Sequence, residues 1–115
     1  MPLFRMEDLT EKHCIPCEGG TIPLTIRQAE EYLAQAPGWE LRKDAEAIAR
    51  EWKFKNFKEA MAFVNSVASL AESEGHHPDI HVSYNRVQLE LSTHAIGGLS
   101  GNDFILAAKL DEISF

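Results

Sequence analysis

Residues 79–92 read DIHVSYNRVQLELS, and their alternation narrows the possible folds more than anything else in the chain. Ile80, Val82 and Tyr84 alternate with polar neighbours, and Val87, Leu89 and Leu91 repeat the pattern. That period of two marks a pair of half-buried strands. Asn85 and Arg86 lie between them, and Asn tolerates the positive φ that a two-residue hairpin turn needs. Such a turn fixes a register: Tyr84 opposite Val87, Val82 opposite Leu89, Ile80 opposite Leu91, all on one face. The same count places Ser83 opposite Gln88, His81 opposite Glu90, Asp79 opposite Ser92 and His77 opposite His94. Cross-strand partners have Cβ atoms about 5 Å apart. The hairpin therefore predicts two distant imidazoles as neighbours at its open end, with His76 beside them.

The rest of the chain supplies what this hairpin packs on. Thr25 and Gln28 form a capping box, and Ile26, Ala29, Leu33 and Ala36 follow helical spacing until Pro37-Gly38 ends the run. Trp39–Leu41 and Ala47–Phe54 read as strands, with Asp44, Ala45 and Glu46 turning between them and Ile48, Trp52 and Phe54 facing inward. Asn56 caps a long helix with Glu59 as its box partner. Its stripe is Phe57, Ala60, Met61, Val64, Val67, Ala68 and Ala71. Ser100 and Asp103 open a last helix that carries Phe104, Ala107, Ala108 and Ile113 inward. The order predicts an α+β fold: a four-stranded antiparallel sheet with three helices packed on one face. At 115 residues the chain suits one domain. Residues 1–23 read as a leader and 24–115 as the domain. A small sheet leaves edge strands to be covered or paired, so pairing into a homo-oligomer is one expectation.

A formal charge of −7 argues against nucleic acid or an anionic membrane as partner. No apolar run reaches the ~18–20 residues of a membrane span, and Met1–Thr10 has no signal-peptide core. The expected compartment is the cytoplasm. Cys14 and Cys17 form the only Cys-x-x-Cys. A zinc site would need two further ligands and a redox pair would expect a βαβ context, so a local loop role leads, with metal and redox roles behind it. The Gly19-Gly20 that follows lacks the strand and the Lys-Ser/Thr of a phosphate loop.

Four of the five histidines fall between Glu72 and Asp103. Imidazole is useful there because both protonation states are accessible near neutral pH. Neighbouring imidazoles also split their pKa values into an acid and a base. Glu72, on the last turn of the long helix, is placed to orient one ring. Plainer roles exist for each residue. His81 paired with Glu90 is read as solvated surface, Asp103 as a helix cap, and His94 as a strand-end residue bonding backbone. Spacing alone leaves the working cluster and the plain roles standing. Zinc is the weaker alternative to proton transfer, because adjacent residues in extended chain point to opposite sides and Pro78 holds His77 extended.

The run Glu72-x-x-x-His76-His77-Pro78, then Tyr84, His94 and Asp103, resembles the signature of the pterin-4a-carbinolamine dehydratases. Tyr84-Asn85-Arg86-Val87 and Leu91-Ser92-Thr93-His94 also resemble that family, and the likeness runs from about Leu24 to Ile113. It implies the fold inferred above, a homodimer or homotetramer, and a hydro-lyase that dehydrates 4a-hydroxytetrahydropterin to quinonoid dihydropterin in tetrahydrobiopterin recycling. It implies no metal and no organic cofactor. Carried over by position, His76, His77 and His94 would be catalytic, with Glu72 and Asp103 as supporting acids. Trp39 and Ile80 would line the pterin pocket, Ile80 standing where many members have an aromatic, often Trp. The chain departs from many members in its Cys-Ile-Pro-Cys leader. Two other functions fit the family less directly: a non-enzymatic dimerisation or interaction module, and a pterin-handling role in molybdopterin metabolism.

Overall fold

A computed structural model describes residues 9, 22–42 and 45–113. Cys14, Cys17 and Asp44 lie outside the described residues. The elements are α1 (Ile26–Leu33), β1 (Glu40–Arg42), β2 (Ala47–Lys53), α2 (Phe57–Glu74), β3 (Asp79–Ser83), β4 (Arg86–Leu91), a 3-10 turn (His94–Ile96) and α3 (Gly101–Asp111). The strands form one antiparallel sheet in the order β1-β2-β4-β3. The α+β architecture read from the sequence is the one observed.

Local chemistry starts each helix where expected. The Thr25 hydroxyl accepts from Gln28 N while the Gln28 side chain accepts from Thr25 N. The Asn56 side chain accepts from Glu59 N, but Glu59 reaches back to Lys55 N, one residue earlier than a standard box. Ser100 and Asp103 complete a capping box on α3.

The even-numbered face of β2 and the odd-numbered face of β4 meet the helices in one core. Ile48, Val87, Leu89 and Leu91 are fully buried there with Phe63, Val67, Phe104 and Leu110. Each such side chain contributes about 1.5–3 kcal/mol through burial. Phe63 packs on Trp52 and Phe54 at ring-centroid distances of 4.9 and 5.1 Å.

The expected stripes hold for the most part, but not at their first residues. In α2 Ala60, Val67 and Ala71 are buried as expected, Phe63 joins them, and Phe57 is half exposed. Phe63 is drawn inward because its ring packs between Trp52 and Phe54. Ile26 likewise lies exposed at the start of α1, where only Ala29 is buried.

The hairpin register is corrected by one turn position. Pairing runs Ser83 to Arg86, Val82 to Val87, Ile80 to Leu89, His81 to Gln88 and Asp79 to Glu90. The turn residues are thus Tyr84 and Asn85, not Asn85 and Arg86, and Tyr84 takes the positive φ, 54°. Asn85 is committed elsewhere. Its Nδ2 donates to Phe54 O at 2.8 Å and its carbonyl accepts from Phe54 N at 2.7 Å. Those bonds extend the β2–β4 ladder and outweigh the left-handed strain at Tyr84, on the order of 1–3 kcal/mol. His81 therefore does not face Glu90, and the register that put His77 opposite His94 does not form. Moving the turn by one residue shifts every partner by two, so the apolar face keeps its parity.

Candidate active site

The site is built at the end of α2. Gly75 stops that helix in the left-handed conformation (φ 65°), a geometry that strains any residue with a Cβ. Its N–H donates to Glu72 O, and His76 N donates to Ala71 O, both at 3.3 Å. The chain leaves as His76-His77-Pro78, and the two rings part company. His76 turns inward, 13% exposed, with Nε2 2.6 Å from Asp103 Oδ1. His77 stays outward, 58% exposed, with Nε2 2.6 Å from Glu72 Oε2. An ionised carboxylate can only accept, so each Nε2 carries its proton and Nδ1 is the ring's basic nitrogen.

Asp103 is wholly buried and fully satisfied. Oδ1 holds His76, and Oδ2 accepts from the Thr93 hydroxyl at 2.8 Å and from Ser100 N at 3.0 Å. The Ser100 and Thr93 hydroxyls lie 2.8 Å apart, and Ser100 Oγ also accepts from Asn102 N. The cap role and the histidine role thus share one carboxylate, one oxygen each. The sequence signalled the cap; it did not signal Thr93 as a partner.

His94 follows Thr93 directly and is exposed at the start of the 3-10 turn. Thr93 N donates to Gly98 O at 2.8 Å, closing the loop that carries it. A Cβ on Gly98 would stand 2.8 Å from Pro23 Cβ, so glycine allows this loop to seat against the start of the domain. Ile80, on edge strand β3, is 36% exposed. Trp39 is the other residue expected at the pocket wall. Its indole is buried, meets Trp52 edge-on at 5.7 Å, and donates from Nε1 to both oxygens of Asp111 at 2.9 and 3.1 Å. Asp111 lies eight residues beyond Asp103 on α3, about 12 Å along the axis. The structure brings Glu72, His76, His77 and Asp103 together and leaves Trp39 at the other end of that helix.

Asp111 also accepts from Arg50 Nη1 at 2.8 Å, and the Arg50 guanidinium lies 4.9 Å over Trp52. Burial raises the Asp111 pKa above its ordinary value, and the Trp39 bond and the Arg50 charge only partly oppose it.

Two adjacent imidazoles, each held through Nε2 by its own carboxylate, are groups of the kind that general acid–base chemistry uses, here on a small α+β scaffold. The model of the family described as pterin 4 alpha carbinolamine dehydratase matches residues 22–113. A homologue of that name from Halorhodospira halophila is 50% identical over 105 residues, 91% of this chain and 96% of its own. The mitochondrial pterin-4-alpha-carbinolamine dehydratase 2 of Arabidopsis thaliana is 45% identical, over 94% of this chain and 60% of that protein. The crystal structure of a transcriptional coactivator/pterin dehydratase from Brucella melitensis superposes with a TM-score of 0.73 at 37% identity. That match covers 77% of this chain and 95% of the other. The chain belongs to the pterin-4a-carbinolamine dehydratase family, whose members are hydro-lyases.

Proposed function

We propose that the chain converts 4a-hydroxytetrahydropterin to quinonoid dihydropterin and water, in the recycling of tetrahydrobiopterin. The observation that carries this reading is the pair of 2.6 Å bonds that hold His76 and His77 to separate carboxylates. Loss of water from C4a needs a proton delivered to the departing hydroxyl and a proton taken from N5. In this reading His76, His77 and His94 exchange those protons, with Glu72 and Asp103 fixing the tautomers of His77 and His76. A ring that donates through Nε2 still has Nδ1, which can take up a proton and return it. General acid–base catalysis of this kind contributes ~10²–10⁴-fold. Ile80 would border the pterin ring. No metal or organic cofactor takes part in these steps.

A homodimer or homotetramer is part of the proposal. Strand β3 is an edge, and its Ile80 and Val82 lie exposed, as do Tyr84 in the turn after it and Phe57 on α2. A second copy would cover such a strand, and equilibrium sedimentation showing a monomer at working concentration would remove this part. No described helix is long and apolar enough to cross a membrane, and the cytoplasm remains the proposed compartment.

The decisive experiment is turnover of chemically prepared 4a-hydroxytetrahydropterin. Dehydration well above the spontaneous rate, lost in His76→Ala and His77→Ala, is expected. Purified protein that leaves the spontaneous rate unchanged would overturn the reading.

A further inference from the structure

Glu74 occupies a position that local chemistry disfavours. It is the last residue of α2, where the carbonyl end of the helix dipole repels an acid, and the last turn contains no basic residue. It is held instead from another helix. Lys109 Nζ on α3 donates to Glu74 Oε2 at 2.6 Å, and the two side chains are only 11% and 5% exposed. A pair so enclosed has lost most of its hydration, which makes it a costly way to gain stability alone.

Its location suggests what it does. Glu74 and His76 flank the left-handed Gly75, and both are gripped from α3: Glu74 by Lys109, His76 by Asp103. The two α3 residues are six apart, about 9 Å along the axis. Between these grips the helix end is closed by backbone bonds from Gly75 N to Ala71 O and Glu72 O and from His76 N to Ala71 O. Two points fixed on either side of a turn determine its direction, whereas one leaves it free to pivot.

We propose that Lys109 and Glu74 are positioning residues for this site: their ion pair sets the angle at which the chain leaves α2, and so fixes where His77 stands relative to His76. Neither touches the reacting atoms. Loss of the pair lets the His76-His77 turn pivot about the Asp103 grip, which loosens the Glu72–His77 bond and misplaces one of the two rings. The consequence falls on proton transfer more than on binding, because transfer demands closer alignment than ring contact does.

The role as a positioning pair for catalysis rests on the dehydratase reading; the geometric part does not. The test therefore uses Lys109→Met and two readouts, at a temperature where circular dichroism shows the variant folded. In NMR spectra, the ring-nitrogen shifts of His77 in Lys109→Met should lose the signature of the Nε2–H tautomer held by Glu72, while those of His76, held by Asp103, stay as in the wild type. In turnover of 4a-hydroxytetrahydropterin, kcat should fall tenfold or more with KM within about threefold. Glu74→Gln keeps the shape and an acceptor oxygen, so it should show the same changes at smaller size; it replaces Lys109→Met if that variant does not fold. Unchanged His77 ring-nitrogen shifts in a folded variant would overturn the proposal and leave the pair a stability element. If the wild type lacked dehydratase activity, the function would fall while the NMR result still decided the geometry.

Discussion

The two ends of α3 carry the same device for different purposes. At each end an aspartate binds a ring nitrogen from far away in sequence: buried Asp103 holds His76, and half-buried Asp111 holds Trp39. Asp103 is sealed, with its oxygens shared among His76, Thr93 and Ser100, whereas Asp111 keeps 22% exposure and pairs with Arg50. The partner's chemistry makes the difference. An imidazole that donates through one nitrogen still has a second to exchange protons with, while an indole has one N–H and no basic site. The Asp103 end holds a ring that has a second nitrogen for proton exchange, while the Asp111 end ties Trp39 and Arg50 to α3.

Asp103→Ala should break this comparison hardest. It strands the His76 ring, the Thr93 hydroxyl and Ser100 N, a loss comparable to breaking a buried pair, about 3–5 kcal/mol. Urea unfolding should show that loss, and turnover of folded protein should fall by ~10²-fold or more. An Asp103→Ala protein as stable and active as wild type would end the distinction between the two ends.

Next come the rings themselves. His77→Ala and His94→Ala should each lower turnover by ~10²-fold or more while pterin binding changes little, since proton transfer belongs to the transition state. The double variant should lose less than the product of the two, because an acid without its base is already disabled. Rates within twofold of wild type for both single variants would refute the assignment.

At the structural end, Trp39→Phe should cost about 1–3 kcal/mol by leaving the Asp111 carboxylate short of a donor. Turnover should stay within twofold. A loss of rate without a loss of stability would bring Trp39 back to the pterin pocket.

Asp111 offers a pH signature. Its folded pKa is raised by burial, so the native state holds the proton more tightly than the unfolded chain does. This group's contribution to stability therefore grows as pH falls through the window just above the ordinary aspartate range, and shrinks as pH rises through it. The Tm difference between wild type and Asp111→Asn should shift in favour of wild type on acidification from neutral. A difference that is flat, or moves the other way, would remove desolvation as the dominant cause. The smallest effect is expected from His81→Ala on exposed β3, with stability within about 0.5 kcal/mol and turnover unchanged.

The sequence by itself determined the element order, the helix starts and the parity of the last hairpin. Each rests on residues close together along the chain: Thr25 with Gln28, Ser100 with Asp103, and the alternation of residues 79–92. The parity of the hairpin survived a wrong turn position because a shift of two leaves it unchanged, but only its β4 half is buried: Val87, Leu89 and Leu91 are in the core while Ile80 and Val82 on edge strand β3 stay exposed. The separation of His76 from His77 also followed from chain geometry at His77-Pro78. Tertiary structure decided the rest. Asn85 gave up the first turn position because Phe54, 31 residues away, claims its amide. That Phe63 joined the buried stripe of α2 depended on Trp52 and Phe54, between which its ring packs. Asp103's second oxygen found His76 across 27 residues, Lys109 found Glu74 across 35, and Trp39 found Asp111 across 72. No local pattern encodes such partners, because a donor and acceptor distant in sequence meet only when packing of the core sets their helices and strands side by side.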